Sequence, residues 1–130
     1  MQLARTHRNF YIVLLFLTLF HAWEAVIHLV ASDASFANPG AQRIALIPPT
    51  IWGIGFGTAA ILVGTGMWRT STFPVARIGL AVGMAVCTAR LVLILQTGSP
   101  AFTGGPPWTF LVGFHIAALL EPPVNPATQH

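Results

Sequence analysis

Apolar residues fall into four runs, separated by short polar or proline-rich stretches. The first, Phe10 to Ser32, is long enough for a helix rising about 1.5 Å per residue to cross about 30 Å of hydrocarbon. The second, Thr50 to Trp68, follows Pro48 and Pro49, and the third covers Ile78 to Gln96. The fourth, Trp108 to Glu121, sits between Pro106-Pro107 and Pro122-Pro123. This layout predicts an all-α chain, one domain over residues 1–130, with helices over about 10–32, 50–68, 78–96 and 108–121. The fourth run is short enough to be a tilted span or a re-entrant segment, and a span is the expectation. Residues 122–130 read as a disordered tail.

Polar residues break the runs at few places. His21, Glu24 and His28 interrupt the first. At about 100° per residue they fall within a ~60° arc of one helix face, a polar stripe on an apolar rod. Arg90 interrupts "CTARLVLIL" in the third run, and a lone arginine at that depth is expensive unless paired. If all four runs cross the bilayer, the first and third helices run in the same direction. Glu24 and Arg90 then lie at matching depths, each about three residues past mid-span. The simplest resolution is an interhelical ion pair, with His28 one turn from Glu24 and the stripe facing the bundle interior.

Two sharper readings compete for the same residues. The pattern H-x-x-E-x-x-x-H is neither the H-E-x-x-H zinc motif nor a paired E-x-x-H set, and only His115 and Glu121 remain as further ligands. No metal is therefore expected. A haem needs axial histidines facing each other across the bundle, which His21 and His115 could supply. Two histidines on two helices are a thin signal, and no cofactor is expected.

Gly53, Gly57, Ala60 and Gly64 line one side of the second helix, and Gly79 and Gly83 repeat the pattern on the third. Such small-residue seams let helix backbones approach in lipid, where packing replaces hydrophobicity as the source of association. The plain reading packs helices two and three within one chain. The sharper one makes a seam into an oligomer interface.

Composition points to a membrane protein. Of 130 residues, 55% are hydrophobic and only 7% charged, with a mean hydropathy of +0.73. A soluble domain carries roughly 25% charged residues, so this chain lacks the polar groups to coat a water-facing globule. The net charge of +3 is small and dispersed, which argues against nucleic acid as a partner. Cys87 is the single cysteine, so no internal disulfide can form.

Arginine placement sets the orientation. Arg5 and Arg8 precede the first run and Arg69 and Arg77 flank the loop between the second and third, while residues 97–108 carry no charge. The positive-inside rule puts both termini in the cytoplasm. Trp52, Trp68 and Trp108 stand at run ends, as an interfacial aromatic belt would. A cleaved signal peptide is disfavoured, because the first run is too long and contains Glu24.

Nothing in the chain reads as catalytic. There is no nucleophile elbow, phosphate loop, C-x-x-C or aspartate pair. Thr18, Ser32, Thr58, Thr65, Thr88 and Thr97 read as hydroxyls bonding back to helix carbonyls. The segments "ALIPPTIWGIGFGTAAILVGTGMW" and "FHIAALLEPPVNP", with the overall hydropathy layout, resemble small four-span membrane proteins of phages that infect actinobacteria. Several of those are labelled holins and others simply membrane proteins. The resemblance covers most of the chain in layout and offers no catalytic residue to carry over. It implies a multi-pass protein of the host's inner (cytoplasmic) membrane that self-associates or joins a larger membrane complex. Two function classes follow: a holin-like, membrane-permeabilising protein, or a non-enzymatic interaction protein such as an accessory subunit or a superinfection-exclusion factor. A haem or quinone carrier using His21, His28 and His115 is a third and weaker one.

Overall fold

The computed structural model describes residues 2–30, 46–68, 70–96 and 105–120. They form four helices and no strand: α1 (Gln2–Val30), α2 (Pro49–Gly66), α3 (Phe73–Leu95) and α4 (Gly105–Leu120), with a 3-10 turn at Thr70–Thr72 before α3. Ser32, Thr97, Glu121 and the tail at 122–130 lie outside the described residues.

The helices start earlier than the apolar runs, because hydrophobicity marks what can be buried and not what can be helical. α1 reaches back to Gln2, through a segment in which Gln2, Leu3, Ala4, Arg5 and Arg8 are good helix formers. α3 starts at Phe73, with Pro74 in its first turn. Pro49 opens α2, and Pro106 and Pro107 fall in the first turn of α4. Proline at these positions lacks only an N–H that would have no partner, and its fixed φ suits the helix. The prolines that looked like boundaries are therefore first-turn residues. At the far end of α2, the Thr72 hydroxyl donates to the Gly66 carbonyl at 3.2 Å, and Met67 N–H closes on Val63 O.

Chain neighbours pack against one another in order, and α4 closes the ring by touching α1. A Cβ on Gly64 would meet Thr18, one on Gly57 would meet Ala25, and one on Gly53 would meet Leu29. That rising and falling order makes α1 and α2 antiparallel. Gly66 against Ala76, Gly79 against Val63 and Gly55 against Val86 do the same for α2 and α3. The Arg77 guanidinium donates to Leu119 O at 3.2 Å, joining the start of α3 to the end of α4. The bundle runs up-down-up-down, with α1 and α3 parallel across its diagonal.

The small-residue seam is thus occupied inside one chain. Gly53, Gly57 and Gly64 face α1, whereas Gly79 receives Leu62 and Val63 of α2. Ala60 is buried between them. Gly83 points elsewhere, into the site described below. This packing separates the glycines experimentally. A Cβ on Gly79 would lie 2.7 Å from the Val63 backbone nitrogen, whereas one on Gly113 would meet nothing within 4 Å. Gly79→Ala should destabilise the bundle by about 1–3 kcal/mol through overpacking. Gly113→Ala should be neutral or stabilise by up to about 1 kcal/mol through helix propensity. Reversible unfolding in mixed micelles reads both; equal effects would place Gly79 outside the helix contact.

Side chains at 0% exposure mark the centre: Leu14, Leu17, His21, Phe56, Val63, Leu80, Cys87 and His115 among them. Outside, every helix presents large apolar residues, including Leu19 and Trp23 on α1, Ile54 and Ile61 on α2, Ile78 on α3 and Phe110 on α4. Two helical segments, Asn9–Val30 and Phe73–Leu95, are long and apolar enough to cross a membrane.

One expectation needs correction. Of the three tryptophans expected in an interfacial belt, Trp68 stands outward, whereas Trp52 and Trp108 are buried in the bundle. Trp52 precedes Phe56 by one helical turn and stacks on it at 6.4 Å. Trp108 lies under the Arg90 guanidinium, 4.4 Å from its ring centroid. An inward arginine needs an electron-rich face, and the nearby tryptophan supplies it.

Candidate functional site

The inward face of α1 carries His21, Glu24 and His28, and that of α3 carries Gly83, Cys87 and Arg90. Each set spans about 60° of its helix. Because α1 and α3 are parallel, the sets pair in order along the axis: His21 with Gly83 and Cys87, then Glu24 and His28 with Arg90.

At the second level, Arg90 Nη1 donates to Glu24 Oε2 at 3.0 Å and to His28 Nε2 at 3.0 Å. Arginine can only donate, so His28 Nε2 is the accepting nitrogen and Nδ1 carries the proton. That Nδ1–H donates to the Glu24 carbonyl, 2.7 Å away on the preceding turn. One guanidinium nitrogen therefore links two side chains of α1 and fixes one tautomer. The Glu24 and Arg90 side chains keep only 14% and 16% of their exposure. Attraction at such low exposure is screened far less than at a water-facing surface.

At the first level, His21 Nε2 and His115 Nε2 lie 2.8 Å apart, both rings fully buried. His115 Nδ1–H donates to Leu111 O at 2.6 Å, which leaves its Nε2 as an acceptor. His21 must then donate from Nε2, and its Nδ1 has no partner among the described residues. The ligand atoms of His21, Cys87 and His115 all lie within 4.8 Å of one another. Gly83 makes room for them: a Cβ there would sit 2.5 Å from His21 Nε2 and 2.7 Å from His115 Nε2. Phe56 packs on this level and the next, 5.6 Å from the His21 ring and 5.7 Å from the His28 ring.

The structure thus brings His21, Glu24, His28 and Arg90 onto one track and separates them into two pairings. Gly53, Gly57, Ala60, Gly64 and Gly79 serve helix packing, and Gly83 belongs to the track. A bis-histidine haem does not fit. Its iron would hold the two nitrogens about 4 Å apart, twice a metal–imidazole bond, with a porphyrin-sized slot between them. Here they are in hydrogen-bond contact beneath Phe56. Thr18 and Thr65 bond back to Leu14 O and Ile61 O, so these hydroxyls are engaged within their helices.

Four residues of this site were not legible as such in the sequence: Phe56, Gly83 as a cradle, Cys87 and Trp108. A signal existed for Cys87. It precedes Arg90 by three positions, so once Arg90 is turned inward the thiol follows.

Compared with known protein families, with curated proteins and with solved structures, the chain finds no match.

Proposed function

We propose that the chain is a holin-like protein of the inner (cytoplasmic) membrane, of phage or prophage origin in an actinobacterial host, that permeabilises the bilayer by self-association and has no enzymatic activity. In this reading all four helices span, with both termini cytoplasmic. α2 and α4 have 18 and 16 residues, or about 27 and 24 Å of rise. Spans this short are accommodated by modest thinning of the bilayer or by burial among longer neighbours. Lipid is the surrounding partner that the apolar exterior calls for.

One observation carries the reading: the charged and imidazole groups of α1 and α3 meet in a closed interior track, tied across the bundle diagonal by Glu24 and Arg90. Closed, the bundle shows lipid an apolar face and is harmless. Parted, the same helices would offer Glu24, His28 and Arg90 to a water-filled lumen, where ionised groups are tolerated. The glycine seams do not add to this argument, since they are occupied within the chain.

That occupancy favours the second reading, an interaction protein that stays closed and meets its partner through exposed apolar residues such as Trp23 and Phe110. Induced expression in a bacterial host distinguishes the two. A holin-like protein should produce abrupt loss of membrane potential after a delay, set by a critical surface density. An unchanged potential at high membrane levels would overturn permeabilisation and leave the interaction protein.

A further inference from the structure

We propose that His21, Cys87 and His115 form a three-coordinate binding site for a soft monovalent metal ion, copper(I), buried between α1, α3 and α4. This inference does not rest on the permeabilising function.

Three donors from three helices converge here. One ring nitrogen of each histidine and the Cys87 sulfur lie within 4.8 Å of one another, and all three residues are buried. No local helix spacing produces such a cluster, because each residue arrives on a different element. The backbone at Gly83, one turn before Cys87, leaves the space that a side chain would fill: its Cβ would lie 2.5 Å from His21 Nε2. The cradle and the donors therefore coincide.

The hydrogen bonds present the lone pairs. His115 is oriented by its Nδ1–H on the Leu111 carbonyl, the arrangement that directs the other nitrogen of a metal-binding imidazole at its ion. His21 has no such bond to its own helix. Its one polar contact among the described residues is the 2.8 Å approach to His115 Nε2. A single proton lies between those two nitrogens. A cation in its place would take a lone pair from each, with the His21 proton moving to Nδ1.

Donor type and charge select the ion. One thiolate and two imidazoles form a soft set suited to trigonal copper(I), whereas carboxylate-preferring ions have no ligand here. Binding is written Cu⁺ + Cys–SH → Cys–S–Cu + H⁺, with two neutral imidazoles completing the shell, so the loaded site is uncharged. Zinc(II) in the same shell would leave one positive charge in an apolar interior, which is strongly unfavourable. Glu24 cannot balance it, being paired with Arg90. A trigonal ion with bonds of about 2 Å sets the nitrogens about 3.5 Å apart. From the 2.8 Å observed, small ring movements suffice.

The test uses the full-length protein in detergent micelles, titrated anaerobically with copper(I) against a chromogenic copper(I) chelator. One equivalent should bind per chain, and X-ray absorption of the wild-type complex should report one sulfur and two imidazole nitrogens. Cys87→Ser and His115→Ala should each weaken binding at least about 100-fold, the upper end of what losing a mere hydrogen-bond partner of a ligand costs. Met67→Leu, which removes a buried sulfur outside the cluster, should bind as wild type does. Gly83→Ala retains every ligand and tests the cradle; it should bind more weakly. Substoichiometric binding, a first shell without sulfur, or unchanged affinity in a folded Cys87→Ser protein would overturn the site. Tighter capture of zinc(II) than copper(I) by wild type would overturn the choice of ion. The wild-type spectrum decides even where a ligand variant fails to fold.

Discussion

Glu24→Gln and Arg90→Gln should each sharply lower the yield of folded protein, and the double variant should recover part of the loss. The two side chains meet at 3.0 Å with little exposure. Removing one leaves the other charged and unpaired in the bundle. Loss of one partner from a buried pair costs about 3–5 kcal/mol, and insertion scales place one ionised side chain at a helix centre at roughly 2.5–3.5 kcal/mol. Removing both charges avoids that penalty. In a double-mutant cycle, read by unfolding in mixed micelles, the coupling should be on the order of 1 kcal/mol or more. His28→Ala alone should cost less than either, because Arg90 keeps Glu24 and Trp108. Strict additivity of the two charge removals would mean that the pair does not form in the bundle.

The second large effect belongs to Phe56. Its ring is fully buried and lies within 6.4 Å of five others: Phe20, His21, His28, Trp52 and Trp108. Phe56→Ala should destabilise the bundle by about 3 kcal/mol, the lower end of the range for aromatic truncation in cores. The lower end applies because lipid tails solvate a phenyl ring nearly as well as the core does. What is lost is chiefly packing contact around the cavity, not transfer from water. Ile54→Ala, two residues away and facing outward, should stay within about 0.5 kcal/mol of wild type. If the two variants unfold alike, Phe56 is not the centre of the packing.

Much of the architecture was legible because long apolar runs obey strong local rules. A long apolar run without polar alternation satisfies its own backbone most readily as a helix, and four runs produced four helices. Their limits were less legible, since the helices begin before the apolar runs, through polar residues such as Arg8 and through a first-turn Pro74 that costs no backbone hydrogen bond. The inward direction of Glu24 and Arg90 could be argued from cost alone: an unpaired charge in lipid is too unfavourable to leave facing out.

The order of residues is enough to make this chain helical, to keep the charges within its helices few, and to require that those few find one another. Periodicity places residues on a helix face, and desolvation dictates which face turns inward. Neither says how far one helix slides or rotates against the next. It is the packing of the helices that sets Gly83 opposite His21 and His115, brings Cys87 to them, and takes Trp108 from the expected interface to a place beneath Arg90. These contacts join residues 18 to 66 positions apart, and their register is decided by how glycine gaps and aromatic rings fit between helices. Packing of that kind is a property of all four helices together, so no single stretch of the sequence contains it.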